Sequence, residues 1–381
     1  MQLSKSYRLL RFLNRSHAIP TRAFFAVGAW ILVWISTFRP VLGGRVAGVL
    51  WADDFKSGMR LAHWFVRRSW IGLDVADDPY FDFASWLAAE DLDEVEAFLN
   101  TRIRKSDPFE DATDRLYIIA ARAHEALERR DLGAFRTFAA RFEIVAARAA
   151  ELERRNPLSK RKGKPSVFSS EDAGAALQDF GRLATSIGLE WYVISGTFLG
   201  IVREGGWLAH DYDIDLGVHA EKLDIDAVRT AIAASPSMIL RKEDWQTRII
   251  ERDGVPELER LAVLFKIVHR TGINVDLFIH HLEDGVRWHG SSIHRWDNAD
   301  FALTAYELAG MTVMGPAEHD RYLTENYGDW RTPVTDFNST TGTPNMVPVA
   351  NYGSRALFVK RGIELRTAAP HFTLSDLGSD S

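Results

Sequence analysis

Two hydrophobic periodicities divide this chain. From about residue 84 to 155, apolar positions recur every three or four residues, the spacing of amphipathic helices. In Asp114–Asp131, "DRLYIIAARAHEALERRD", the residues Leu116, Ile119, Ala120, Ala123 and Leu127 fall on one face. Asp111 or Thr113 is placed to cap that helix. Phe142–Asn156, "FEIVAARAAELERRN", echoes it: Ala120-Ala121-Arg122 recurs as Ala146-Ala147-Arg148. One echo predicts a helical hairpin and is too little for a repeat array. Its arginines read as a solvated face, or as a docking surface for a partner or anionic lipid.

Past residue 168 the period changes. "SSEDAGAALQDFGRLATSIGLE" predicts a helix capped by Ser169 or Ser170, followed by a short buried strand, "WYVIS" (Trp191–Ser195). A turn and a helix beginning near Phe198 come next. "YDIDLGV" alternates as a strand, "DIDAVRTAIAAS" is a helix, and "QTRIIE", "LAVLFKIVHR", "INVDLFIHH" and "VRWHG" are strands. This order predicts an α/β (α+β) domain with a mixed sheet over 169–381. The basic stretch "RRNPLSKRKGKPS" (Arg154–Ser166) carries Pro157, Gly163 and Pro165, so 156–168 reads as a linker behind a helical region at 71–155.

The first 70 residues form a third kind of segment. Lys5, Arg8, Arg11, Arg15, Arg22, Arg39 and Arg45 precede the first acid, Asp53. The apolar run Ala23–Phe38, "AFFAVGAWILVWISTF", is just short of the roughly 17–25 residues a spanning helix needs. A second run, Val41–Trp51, is broken by Gly43, Gly44 and Arg45. Arginines mixed with tryptophans suit a membrane interface, which predicts an in-plane or re-entrant anchor over 1–70. A single span and a buried helix of a soluble domain are the alternatives. A cleaved signal peptide fits poorly, because the basic stretch before the apolar run is too long.

Composition narrows the chemistry. With 381 residues, 46% hydrophobic and 26% charged, the chain can bury a sizeable core. A net charge of −6 argues against bulk nucleic-acid binding. There is no cysteine, so disulfides and thiolate zinc sites are excluded and any metal must sit on carboxylates or histidines. Carboxylates favour Mg²⁺ or Mn²⁺. His280, His281, His289 and His294 invite a zinc reading, but adjacent histidines on a strand face opposite sides, which weighs against it.

The stretch Gly196–Val218, "GTFLGIVREGGWLAHDYDIDLGV", concentrates the candidate chemistry. Gly196 lets backbone approach a ligand closely, and Thr197 with the N–H groups of a helix start can receive a phosphate. Asp213 and Asp215, two apart on a strand, share one face with Ile214 opposite. Two such carboxylates repel each other unless a cation lies between them. For an isolated D-x-D, an edge strand with exposed acids is the plainer alternative. Asp276 sits inside the apolar strand "NVDLF" and is costly to bury without a partner. If its strand neighbours that of Asp213, three carboxylates converge and can hold one or two ions, or Asp276 can take a proton from an attacking hydroxyl. Arg203 is either a phosphate-neutralising group or a helix-end salt bridge. Lys266, in "LFKIV", is either a substrate contact or a lysine on a solvated sheet face.

Gly-Thr, D-x-D and a later apolar-Asp-apolar form the pattern of the nucleotidyltransferase superfamily. Within it, this stretch resembles the LicD/fukutin family, whose pattern runs G-T-x-L-G-x-x-R-x-G-G-x-(I/L)-P-W-D-x-D-(I/V)-D-(I/L)-G. Gly196, Thr197, Leu199, Gly200, Arg203, Gly205, Gly206, Asp211, Asp213, Asp215 and Gly217 fit without a gap. "NVDLF" resembles the family's third-carboxylate strand, and "YLTENYGDWRTP" (Tyr322–Pro333) its closing motif. Ala209-His210 stands where relatives carry Pro-Trp, and Tyr212 replaces a common aspartate. The resemblance spans about 170–335.

The resemblance implies a nucleotidyltransferase-like fold and a phosphotransferase that moves a phospho-alcohol, such as phosphocholine or ribitol phosphate, from a CDP-activated donor to a glycan hydroxyl. Mg²⁺ (or Mn²⁺) would lie on Asp213, Asp215 and Asp276. Gly196, Thr197, Arg203, Lys266 and His210 would contact substrate. Tyr327, Gly328 and Asp329 would form a turn near the site. The implied location is the cytoplasmic face of the inner membrane in a bacterium, or the Golgi lumen in a eukaryote. A nucleotidyltransferase using an NTP and a non-catalytic scaffold of a glycan-assembly complex are the competing functions.

Overall fold

The computed structural model describes residues 108–155, 169–209, 211, 213–334, 337, 339 and 342–360. The expected membrane head, the linker and His210 lie outside the described residues. No helix among the described residues is long and apolar enough to cross a membrane.

The described residues open with the predicted hairpin of α1 (Pro108–Glu128) and α2 (Leu132–Arg155). Leu116, Ile119, Ala120, Ala123 and Leu127 are all buried, as the spacing predicts. The helix starts earlier than expected, with Pro108 at its first position, so Asp111 and Thr113 lie inside it and do not flank it. Proline is tolerated there because the first-turn N–H groups have no intrahelical partner. The hairpin does not close its own core. Tyr352 of the C-terminal helix α7 (Tyr352–Lys360) is fully buried between Phe142, 4.8 Å away between ring centroids, and Phe135 at 6.1 Å. Ile249 and Ile293 join the same cluster from the sheet side.

Helix α3 (Ser170–Ser186) begins at an N-cap, where the Ser169 hydroxyl accepts the Asp172 N–H at 3.3 Å. Its face of Ala173, Ala176, Leu177, Phe180 and Ala184 is buried. There follow β1 (Tyr192–Val193), α4 (Ser195–Glu204), β2 (Asp213–His219) and α5 (Ile225–Ala234), the last capped by Asp224. Then come β3 (Met238–Arg252), β4 (Val255–His269), β5 (Asn274–Glu283), β6 (Val286–Gly290) and β7 (His294–Ala299). The hairpin β8 (Leu303–Leu308) and β9 (Met311–Pro316), helix α6 (His319–Tyr327) and β10 (Met346–Pro348) precede α7.

The mixed sheet runs β1-β2-β5-β6-β7-β10, with β4 also on β5 and β3 on β4. β5 organises it. One edge pairs in parallel with β2 from Asn274 to His280, and every other pairing in this sheet is antiparallel. The other edge is shared in sequence: residues 274–278 bind β4 and residues 281–283 bind β6. The middle of β5 is buried, with Val275, Leu277, Phe278 and Ile279 in the core and Asp276 and His280 as buried polar residues.

Several predicted boundaries move: β3 begins at Met238, not Gln246, and β4 at Val255, not Leu261. The strand "WYVIS" shrinks to Tyr192–Val193, and the next helix begins at Ser195, not Phe198. Ser195 takes a positive φ of 47°, so the chain turns sharply from strand into helix within two residues.

Candidate active site

β2 builds the site by alternation. Ile214, Leu216 and Val218 are buried in the core, which leaves Asp213 and Asp215 on the opposite face. The parallel register sets Asp215 beside Asp276 of β5. Oxygens of Asp213, Asp215 and Asp276 all lie within 4.8 Å of one another, and no other described group of acids and histidines reaches such spacing.

The Gly-Thr turn serves this cluster in a way the sequence did not reveal. Because α4 starts at Ser195, Gly196 and Thr197 occupy its first turn. The Gly196 N–H donates to Asp215 Oδ2 at 3.1 Å, and the Thr197 hydroxyl accepts the Asp215 N–H at 2.9 Å. The Ile194 N–H donates to the Asp215 carbonyl at 3.2 Å. The two residues expected to cradle phosphate therefore hold Asp215, and Thr197 is buried at 1% exposure. A Cβ at 196 would lie 3.1 Å from Asp211 Oδ2 and 3.5 Å from Asp215 Oδ2, so a side chain there would press on Asp211.

Burial and mutual repulsion shift the acids of the cluster. The Asp213 carboxyl is held well above its ordinary range, first by burial, then by repulsion from Asp215, Asp276 and Asp211. Asp215 is raised by burial, then by Asp211 and Asp276, while the Gly196 N–H and Lys266 oppose the rise. Carboxylates that repel at this spacing and offer only hard oxygen donors fit a divalent ion such as Mg²⁺ or Mn²⁺. Histidine plays no part in that set. His281 turns to the other face and its Nε2 lies 2.9 Å from the Ala262 carbonyl. His280 and His289 are buried, with ring centroids 4.4 Å apart.

Lys266 lies on the site face. Its Nζ is 2.5 Å from Asp276 Oδ2, and the two residues are register partners across β4 and β5. The row continues, since Lys242 of β3 is the register partner of Lys266. Lys242 in turn pairs with the buried Asp244 at 2.5 Å. The predicted strand began at Gln246 and left out Lys242 and Asp244, and β3 shifts register between Leu240 and Lys242 and again between Asp244 and Trp245. Such bulges break the alternation that would have assigned a face.

Arg203 closes the end of α4. Its Nη1 donates to the Trp330 carbonyl at 3.2 Å and its Nε to Glu204 at 2.9 Å. The observed contacts are those of a helix-end clamp onto the Tyr322–Trp330 motif. Gly205 ends the helix at φ 73°, and a Cβ on Gly200 would meet the Gly206 carbonyl at 2.5 Å. The motif glycines thus fold the chain back tightly toward β2. Tyr327 belongs to the site's surroundings: burial foremost, then Asp215, Tyr322, Asp211 and Asp213, push its phenol well up, so it stays protonated beside the acids.

The site is thus a mixed sheet with two carboxylates on one strand, a third on its parallel neighbour and a Gly-Thr helix start bonded to Asp215. Residues 188–318 match the family model described as LicD/FKTN/FKRP, nucleotidyltransferase domain, so this part of the chain is a LicD/fukutin-type domain. The chain is similar to the mouse protein named ribitol-5-phosphate transferase FKTN, at 24% identity over 179 residues, 45% of this chain and 36% of the relative. It is similar to the human protein of the same name at 24% over 189 residues, 48% of this chain and 38% of the relative. The matched region thus spans well under half the length of these relatives.

Proposed function

We propose that this protein is a metal-dependent phosphotransferase that moves a phospho-alcohol from a CDP-activated donor to a glycan hydroxyl. The process would be modification of a cell-surface polysaccharide or glycoconjugate. The observation that carries this is the convergence of Asp213, Asp215 and Asp276 on one face of β2 and β5 within a LicD/fukutin-type domain. The named activity of the fukutin relatives, transfer of ribitol 5-phosphate, supports the cargo class.

Asp213, Asp215 and Asp276 would hold Mg²⁺ or Mn²⁺, which when bound supplies positive charge to the diphosphate and to the departing CMP. Gly196 and Thr197 fix Asp215, so its carboxylate needs no reorganisation as charge shifts. The acceptor oxygen attacks the phosphorus that bears the alcohol, the bond from that phosphorus to the CMP oxygen breaks, and the hydroxyl proton passes to a carboxylate of the cluster. Lys266 stands beside Asp276 as a cation for non-bridging oxygens. His210 and Tyr212, where relatives carry Trp and Asp, would tune the choice of alcohol or acceptor.

The basic, aromatic head at 1–70 would attach the enzyme to a membrane. The working location is the cytoplasmic face of the inner membrane in a bacterium, or the Golgi lumen in a eukaryote. Deleting residues 1–52 should then release the protein into the soluble fraction.

A donor screen tests the reaction. Purified full chain with Mg²⁺ meets a panel of CDP-alcohols and NTPs, and CMP and pyrophosphate are quantified. CMP release that needs a glycan acceptor and is lost in Asp213→Asn is expected. Pyrophosphate release from an NTP would instead make the protein a nucleotidyltransferase, and release of neither by a folded protein would leave a scaffold.

A further inference from the structure

We infer that Lys266 stands where a second divalent cation would lie, so that the acidic cluster takes a single ion. This rests on the metal-dependent reading above. Two-ion sites in phosphoryl chemistry hold their ions roughly 3.5–4 Å apart and need carboxylates that reach both. Here the third acid, Asp276, lies on β5, between Asp215 of β2 and Lys266 of β4. Its Oδ2 is already given to Lys266 Nζ. No fourth acid or histidine joins the set among the described residues, and Asp211 falls outside it.

The row across the sheet strengthens this. In register order it reads Lys242 on β3, Lys266 on β4, Asp276 on β5 and Asp215 on β2. An ion placed beyond Asp276 would meet the ammonium group of Lys266, with Lys242 behind it. Both lysine side chains are only 15% exposed, so water screens that repulsion poorly. The lysine also does what a second metal does in such sites: it offers a fixed positive charge next to the first ion, pre-aligned by Asp276, for the oxygens of a diphosphate.

Mn²⁺ alone, titrated into the full chain, tests this by calorimetry and electron paramagnetic resonance. About one Mn²⁺ per chain is expected, with the spectrum of an isolated ion. Lys266→Met should admit a second, weaker Mn²⁺ and show spin coupling, while Lys266→Arg should stay at one. Circular dichroism reports whether each variant folds. If Lys266→Met does not fold, the wild type and Lys266→Arg decide. Two coupled ions in the wild-type protein overturn the inference and leave the metal-dependent reading standing. A folded Lys266→Met that still takes one ion at unchanged affinity overturns it as well. A folded wild-type chain that takes no Mn²⁺ removes the metal-dependent reading and this inference with it.

Discussion

Asp215 and Asp276 are register partners in the parallel pair β2–β5, and the turn into α4 holds Asp215 from its other side through Gly196 and Thr197. Like charges directly opposite each other weaken a sheet. The pair therefore lowers the stability of the metal-free fold, and the arrangement makes sense when a cation is bound. Ligand that binds only the folded state returns that stability.

This gives a pH prediction with a definite sign. Asp213 and Asp215 have raised carboxyl pKa values in the fold, so the folded state binds more protons than the unfolded chain above the ordinary carboxylate range. Their contribution is fully present below the unfolded pKa and is lost as pH rises through the raised one. In EDTA at pH 7.5, Asp213→Asn should melt above the wild type, because one of the repelling charges is gone. Added Mg²⁺ should raise the wild-type melting temperature and leave the variant nearly unmoved. Scanning calorimetry of both proteins with and without metal reads this directly, and a variant less stable in EDTA would contradict it.

A methyl group at Gly196 should strike the site more than the fold. Its Cβ would press on Asp211 Oδ2 at 3.1 Å and lie 3.5 Å from Asp215 Oδ2. Gly196→Ala is expected to weaken Mn²⁺ binding by roughly tenfold, or about 1.4 kcal/mol. Calorimetric titration gives the Kd, and an unchanged value would show that the acids have room to move.

Arg203 offers the reverse case. With its guanidinium on the Trp330 carbonyl and Glu204, Arg203→Ala should cost about 1–3 kcal/mol of stability. Mn²⁺ affinity should stay at the wild-type value. A urea midpoint that does not move, together with a raised KM for donor, would instead assign Arg203 to phosphate.

Tyr352 should be the bolt between the helical hairpin and the sheet. It is fully buried against Phe142 and Phe135. Tyr352→Ala is expected to cost about 3–5 kcal/mol through the lost burial and the cavity. Limited proteolysis should then cut first near α1 and α2, and a wild-type digestion pattern would count against the shared core.

Buried histidines should make the sheet sensitive to acid. Burial foremost, then His294, holds His289 down to about 3, and it is 1% exposed. Its neutral form stabilises the fold above the unfolded pKa of 6.5, and that stability is lost as pH falls toward 3. From pH 6.5 to 5 this amounts to about 2 kcal/mol. His289→Leu should flatten the fall in unfolding free energy over that interval, measured by urea titration at each pH.

Much of this protein was legible in its sequence where a residue's neighbours in the chain decide its environment. The hairpin face from Leu116 to Leu127, the Ser169 cap and the β6 limits at Val286 and Gly290 all follow from local periodicity and capping chemistry. Alternation alone put Asp213 and Asp215 on one face, and a lone acid in an apolar strand singled out Asp276. Tertiary structure decided what pairing decides. The parallel register brought Asp276 beside Asp215, the early start of α4 made Gly196 and Thr197 braces for Asp215, and the sheet set Lys266 against Asp276. Lys242 and Asp244, which lie between two register shifts in β3, fell outside the predicted strand. Periodicity tells which way a side chain points, but which strand lies beside it depends on hydrogen bonds between distant segments. The electrostatics of this site are set by those neighbours.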